Sequence, residues 1–275
     1  MLVYSDLETY SECPISRGAY RYAEDPSTEV LLWGYAVDDQ PARVWDVTAG
    51  PMPEDLQAAL KEVLACRASI VWHNGMNFDT NVLALNKNGV KVAIPRSQII
   101  DTMVIAYQHG LPGALGDLCE VYRMPKDVAK DKDGRRLVQL FCKPHAYSRD
   151  DPTPMRFTKK ERPEDWERFV NYCRLDVEAE RALYKKLPRF NLTEAEHRLQ
   201  LLDDEINHRG MLMDVDLARA AIDLMAEGAK KSRLRTAELT GGELDSTTRT
   251  QATIDYLAKR FGIELKNLQK AEVSR

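Results

Sequence analysis

The sequence predicts an α/β protein, with a mixed sheet that begins as an antiparallel meander, continues with parallel strands, and is flanked by helices and followed by a helical extension. Three observations carry this. Residues 1–50 hold three short runs rich in Val, Leu, Trp and Tyr. From Pro53 helical and strand patterns alternate, as parallel pairing requires, because each parallel strand needs a crossover. From Pro163 onward the pattern is helical throughout.

The elements follow in order. The runs LVYSDLET, VLLWGYAV (Val30 to Val37) and ARVWDV are separated by polar or Pro-containing turns, so they are expected to pair as a meander joined by short loops. A helix is expected from Pro53 through Cys66, then a strand from Ser69 to Trp72 that ends in His73 and Asn74. A helix from about Phe78 to Asn88, a short strand at QIID and a further helix come next. Residues 124–163 break the pattern with KDVAKDKDGRR, RFTKKERPED and several prolines. This stretch reads as surface loop and short helix, either a solvated connector or a basic flap that tracks a phosphate backbone. Helices follow at 163–187, 193–209 and 214–239, the last ended by Gly241-Gly242. The Leu187-Pro188-Arg189-Phe190-Asn191 junction precedes Thr193 and Glu196, spaced as a capping box, and sets the expected boundary between domains 1–190 and 191–275.

Composition narrows the function. A chain of 275 residues can bury a sizeable core, and none of its apolar runs approaches the ~20 residues a membrane helix needs. Its formal net charge of -4 is not the overall basic footprint of a duplex binder, so a nucleic-acid role must rest on local positive clusters and a bound metal. The five cysteines are odd in number and form no Cys-x-x-Cys pair. Cys142 and His145 have a zinc-like spacing but no second pair follows, which disfavours zinc. The acidic amino terminus is unlike a signal peptide, and the expectation is a reduced, cytoplasmic protein.

Carboxylates in three places then stand out. Alternation along the first strand puts Asp6 and Glu8 on one face, roughly 7 Å apart. Such a like-charged pair either emerges into solvent or holds a cation between its members. Asp79 falls in the first turn of the helix after His73-Asn74, where a helix dipole alone would account for it; Asn74 in turn could merely satisfy a turn. Asp176 interrupts the apolar stripe Phe169, Tyr172, Ala179, Leu183 and Leu187, with Tyr172 one turn earlier on the same face. It is either buried and bound, or placed on the rim by a one-residue rotation of the helix.

Asp-x-Glu on the first strand, an Asn-containing Phe-Asp after a later strand and Tyr-x-x-x-Asp on a late helix together resemble the DEDD 3′-5′ exonucleases of ribonuclease H-like fold, tyrosine subclass. Asn171 stands where the other subclass carries histidine. The stretches IIDTMVIAYQHGLPGALGDLCEVYRM and KDKDGRRLVQLFCKP are similar to the proofreading domain of phage-type family A DNA polymerases, and EHRLQLLDDEINHRGMLMDVDLARAA to the passage into their polymerase domain, whose own motifs are absent. The resemblance implies a two-ion Mg²⁺ or Mn²⁺ site on Asp6, Glu8, Asp79 and Asp176, with Tyr172 orienting the attacking water. It places Thr9 near the terminal 3′-hydroxyl and Asn74 or Asn77 on the substrate strand, since HNGMNFD departs by one residue from the common spacing. The substrate implied is a single-stranded or frayed 3′ DNA end, the product a deoxynucleoside monophosphate and the setting a bacterial or phage-infected cytoplasm. A polymerase domain is expected in the full-length protein. The alternatives are an RNA 3′-end trimming enzyme of the ribonuclease D type and a non-catalytic DNA-holding module. The basic run GAKKSRLR, Gly228 to Arg235, is either a solvated helix face or a phosphate contact.

Overall fold

In the computed structural model, which describes residues 1–124, 134–146 and 154–274, five strands form the main sheet. They are β1 (Leu2–Tyr10), β2 (Glu29–Val37), β3 (Arg43–Asp46), β4 (Ser69–Trp72) and β5 (Ile99–Asp101), in the order β3-β2-β1-β4-β5. β1 pairs antiparallel with β2 and parallel with β4; β2–β3 is antiparallel and β4–β5 parallel. The meander continued by parallel strands is therefore present, with β1 at the centre.

The connection between β1 and β2 is not the short loop expected, because it contains α1 (Ala19–Glu24). Its one and a half turns are too short for periodicity to reveal; it buries Tyr22 and Ala23, with the Tyr22 ring 5.3 Å from that of Phe78. α2 (Glu54–Leu64) has acids in its first turn and buries Leu56, Ala59, Leu60 and Val63, a stripe at helical spacing. α3 (Asp79–Leu85) stops three residues before the expected Asn88. Asn86 leaves the helical backbone there, and its side-chain amide donates to the carbonyl of Val90 at 2.8 Å. α4 (Thr102–Gln108) and α5 (Leu115–Val121) follow β5.

Of the compositional break, residues 125–133 and 147–153 lie outside the described residues, and with them most of the KDVAKDKD stretch read as a connector or basic flap. The remainder includes the short helix expected, α6 (Gly134–Cys142), whose Arg135, Arg136 and Gln139 are exposed while its other face buries Leu137 and Phe141 completely. At roughly 1.5–3 kcal/mol for each large apolar side chain, these two residues make α6 part of the core. A small pair, β6 (His145–Ala146) and β7 (Pro154–Met155), comes next. α7 (Pro163–Lys186) has proline at its start, acids in its first turn and lysines in its last.

The core has two sides. Val3 and Leu7 of β1, Trp33 of β2 and Ile70 and Trp72 of β4 pack toward α1, α2 and α3. Tyr4, Val71, Leu31 and Leu32 pack toward α4 to α7. α8 (Glu194–Arg209) is held to the same body by Leu201 against the first core and by Arg96 on Asp204 at 3.0 Å.

By compactness the chain divides into Met1–Arg209 and Gly210–Arg275. The second unit is helical. α9 (Val215–Leu239) is capped by Asp214, which accepts the Leu217 N–H at 2.8 Å, and is stopped by Gly241 and Gly242 in left-handed conformations. α10 (Thr250–Phe261) and α11 (Lys270–Val273) complete it. Within α9, Lys231 and Arg235 of the basic run pair with Glu227 and Glu238. Among the described residues no helix is long and apolar enough to cross a membrane.

Candidate active site

The carboxyl ends of β1, β4 and β5 lie side by side, the place where open α/β sheets gather ligands. On β1, Asp6 and Glu8 share the face of Tyr4 and Tyr10, while Leu7 points into the opposite core. The β1–β2 register is regular through Glu8 and slips between Glu8 and Thr9, a bulge of the kind that re-aims side chains beside functional sites.

Opposite Asp6 in that register is Gly34. A Cβ at Gly34 would lie 2.8 Å from Val177 Cγ2 and 2.9 Å from Cys173 Sγ, so α7 can rest on β2 only because no side chain is there. That close approach delivers Asp176 to the site. Asp176 is 7% exposed, so the stripe on α7 does bury it and the rotated alternative is excluded.

Asp6, Glu8 and Asp176 each contribute a carboxylate oxygen, and these atoms lie within 4.8 Å of one another. Like charges so placed repel unless protonated or bridged by a cation, and an all-carboxylate donor set suits a hard divalent ion. Asp79 is not within that group of three. It is buried in the first turn of α3, where its carboxylate accepts the N–H of Leu7 and so abuts β1 between Asp6 and Glu8. Burial, reinforced by the charge of Asp101, pushes its pKa up to about 7.

Tyr172 is buried, with its phenol hydrogen-bonded to Asp176. Burial first, then the charges of Asp176 and Glu8, hold that phenol far above its usual ionisation, so it remains a neutral donor. Tyr172, Asp6, Glu8, Asp176 and Asn74 line one open cavity of about 560 Å³. Thr9 faces an adjoining cavity of about 580 Å³ that shares Glu8, and its hydroxyl lies 2.7 Å from that of Tyr22. Asn74 has a left-handed backbone with φ 68°, a conformation asparagine tolerates. Asn77 is exposed; it lines a different cavity, which also touches Asn74.

Asp101 plays a part not singled out from the sequence. Its carboxylate accepts the N–H groups of Asn74 and Met76 and also those of Met103 and Val104, so one buried side chain caps α4 and staples the loop before Asp79. Burial raises its pKa, against the pull of those N–H groups toward the ionised form. The available signal was an Asp-Thr pair between a strand and a helical pattern, which is an N-cap signature. His73 braces the same rim, with Nε2 2.8 Å from the Gly113 carbonyl and Nδ1 2.8 Å from Thr102 Oγ1. Cys142 sits 3.7 Å from Glu8 through its sulfur, and His145 bonds the Leu140 carbonyl, so the two residues of the zinc-like spacing are engaged separately.

Against known families, the profile of the RNase H superfamily matches residues 22–188. The chain belongs to the RNase H superfamily. The mixed sheet in the order β3-β2-β1-β4-β5, flanked by helices, is accordingly an RNase H-like fold. β1, with Asp6 and Glu8, precedes the matched residues. A DNA polymerase of Bacillus phage SP02 is 34% identical over 219 residues, 79% of this chain and 32% of that protein. The chain therefore spans about a third of the relative's length. A solved structure described as the apo form of the nuclease aligns over 82% of this chain and 84% of that one, with 17% identity and a TM-score of 0.35.

Proposed function

We propose that this RNase H-like domain is a metal-dependent 3′-5′ exonuclease that removes deoxynucleoside monophosphates from single-stranded or frayed 3′ DNA ends, as the proofreading part of a phage-type DNA polymerase. The observation that carries the reading is the convergence of Asp6, Glu8 and Asp176, with Tyr172 bonded to the last of them. Kinship to a phage polymerase supports DNA as the substrate and a polymerase domain as the partner in cis. The motif resemblance supports the 3′-5′ direction and a bacterial or phage-infected cytoplasm as the setting.

Asp6, Glu8 and Asp176, joined by Asp79 from the first turn of α3, would hold two Mg²⁺ or Mn²⁺ ions. When bound, such a pair lowers the pKa of water and neutralises charge on the scissile phosphate. Tyr172 enters the reaction as a hydrogen-bond donor, because its phenol stays protonated; it orients the attacking water, with Glu8 as the second contact. Asn74 lines the acid-bearing cavity and is the better placed of the two asparagines to contact the substrate strand. Thr9 faces the adjoining cavity, where the terminal sugar would bind.

The test is digestion of a 5′-labelled single-stranded DNA in Mg²⁺, beside a matched RNA and a chelator control. Shortening from the 3′ end with release of monophosphates is expected, faster on DNA than RNA, and abolished in the folded variants Asp6→Ala and Asp79→Ala. Substantial activity in both variants would refute the metal-site assignment. Faster RNA trimming would favour the ribonuclease D type reading, and metal-dependent binding without cleavage the DNA-holding one.

A further inference from the structure

Gly134 opens α6 and begins its buried stripe, Gly134, Leu137, Phe141 and Cys142. An apolar side chain belongs at such a position. Its absence is not a backbone requirement: Gly134 does not adopt the positive φ that reserves a position for glycine. What occupies the space is the ring of Tyr172. A Cβ at Gly134 would fall 2.1 Å from Tyr172 Cε2, 2.6 Å from Cδ2 and 2.8 Å from Cζ. Those atoms form the edge of the ring next to its hydroxyl.

Phe169 lies parallel to the Tyr172 ring, with centroids 6.4 Å apart, and itself stacks on Phe141 of α6 at 5.2 Å. The phenol is already bonded to Asp176. The ring also borders the acid-bearing cavity, and Gly134 lies against its edge next to the hydroxyl.

We infer that Gly134 is a positioning residue for Tyr172, a seat that sets where the phenol hydroxyl stands relative to Asp176 and Glu8. This rests on the exonuclease reading for its functional consequence but not for its geometry. In Gly134→Ala the ring and the start of α6 must separate by about 1.3 Å to reach ordinary contact at 3.4 Å, and on this inference the ring takes up that movement. A displacement near 1 Å in a group that orients a reactant can cost about 100-fold in rate.

The experiment is a double-mutant cycle of Gly134→Ala and Tyr172→Phe on the full chain, with kcat and KM for single-stranded DNA at saturating Mg²⁺, Mn²⁺ affinity by calorimetry, and ring NMR of labelled tyrosine. Gly134→Ala is expected to lower kcat at least ~10-fold with KM and metal affinity kept, to shift the Tyr172 ring resonances, and to add little once the hydroxyl is gone. Unshifted ring resonances, wild-type kcat or a loss fully additive with Tyr172→Phe would overturn the inference. If Gly134→Ala does not fold, the double variant Gly134→Ala, Tyr172→Ala must recover folding, and failure to do so also overturns it. If the wild type cleaves no DNA, the exonuclease reading fails and the ring resonances alone decide the seat.

Discussion

Gly34→Ala tests whether the site is assembled by the contact of α7 with β2. The new Cβ would stand 2.8 Å from Val177 Cγ2, where ordinary contact begins at 3.4 Å, so about 0.6 Å must be found between helix and strand. Val177 follows Asp176 in the chain, and Gly34 faces Asp6 across the β1–β2 ladder, so any separation at this point opens the carboxylate group directly. Overpacking of a core contact costs about 1–3 kcal/mol. For a chain of this size each kcal/mol lowers Tm by roughly 2–4 °C, which gives a fall of roughly 2–12 °C. Disturbing the groups that position metal ligands typically costs about 10–100-fold in metal affinity, so affinity for Mn²⁺ should fall by about 10-fold or more. Calorimetric Mn²⁺ titration and melting in chelator measure the two effects separately. Gly50→Ala is the control, because nothing lies within 4 Å of a Cβ there. Wild-type Mn²⁺ affinity and Tm in Gly34→Ala would show that the helix contact does not set the ligand spacing.

Asp101→Asn puts an amide donor where backbone N–H groups now meet a carboxylate oxygen, at a cost of about 1–3 kcal/mol. A lower Tm and a raised KM for single-stranded DNA are expected, and an unchanged KM would remove the loop-stapling role. The metal-free protein should also lose stability with rising pH. Asp79 has a folded pKa of about 7 against roughly 3.9 unfolded, so the benefit of keeping it protonated is complete below about pH 4 and lost as pH rises through 7. At 1.36 kcal/mol per unit the full swing is at most about 4 kcal/mol. Urea melts in chelator at pH 5 and pH 8 should show a flatter dependence in Asp79→Asn, and equal slopes would count against the assigned pKa.

What could be read in advance was whatever depends on spacing along one element. Alternation alone put Asp6 and Glu8 on one face of β1, and the three-and-four spacing of Phe169, Tyr172 and Leu183 set Asp176 in the apolar stripe of α7 but left a one-residue rotation open, which its burial removes. Contacts between distant elements were not legible. Gly34 and Gly134 matter because of what they leave empty, and the side chains that use the space, Val177 and Tyr172, lie far along the chain. Asp101 shows the same limit: its N-cap role is local, but its bonds to Asn74 and Met76 require β4 and β5 to be neighbours. The stretch holding α6 was read as surface loop and short helix, and its basic, Pro-rich surroundings hid the fact that one face of that helix belongs to the core.

The acidic balance, which taken over the whole chain argues against a nucleic-acid partner, has a different meaning once the acids are located. Glu8, Asp79, Asp101, Asp176 and Glu180 are all buried, and Asp6 stands beside them. Burial and mutual repulsion hold Asp79 and Glu180 above the ordinary carboxyl range, so a formal charge of -4 counts as fully ionised two groups that in the metal-free protein take up protons far more readily than free carboxylates. A divalent ion reverses this for groups that ligate it: the ligand must be deprotonated, so uptake releases protons, and affinity rises with pH over the range in which Asp79 titrates. The field a phosphate backbone meets is then set by the ions and the nearby basic residues rather than by the sum over the chain. Net charge is a poor guide to a site whose charges are buried.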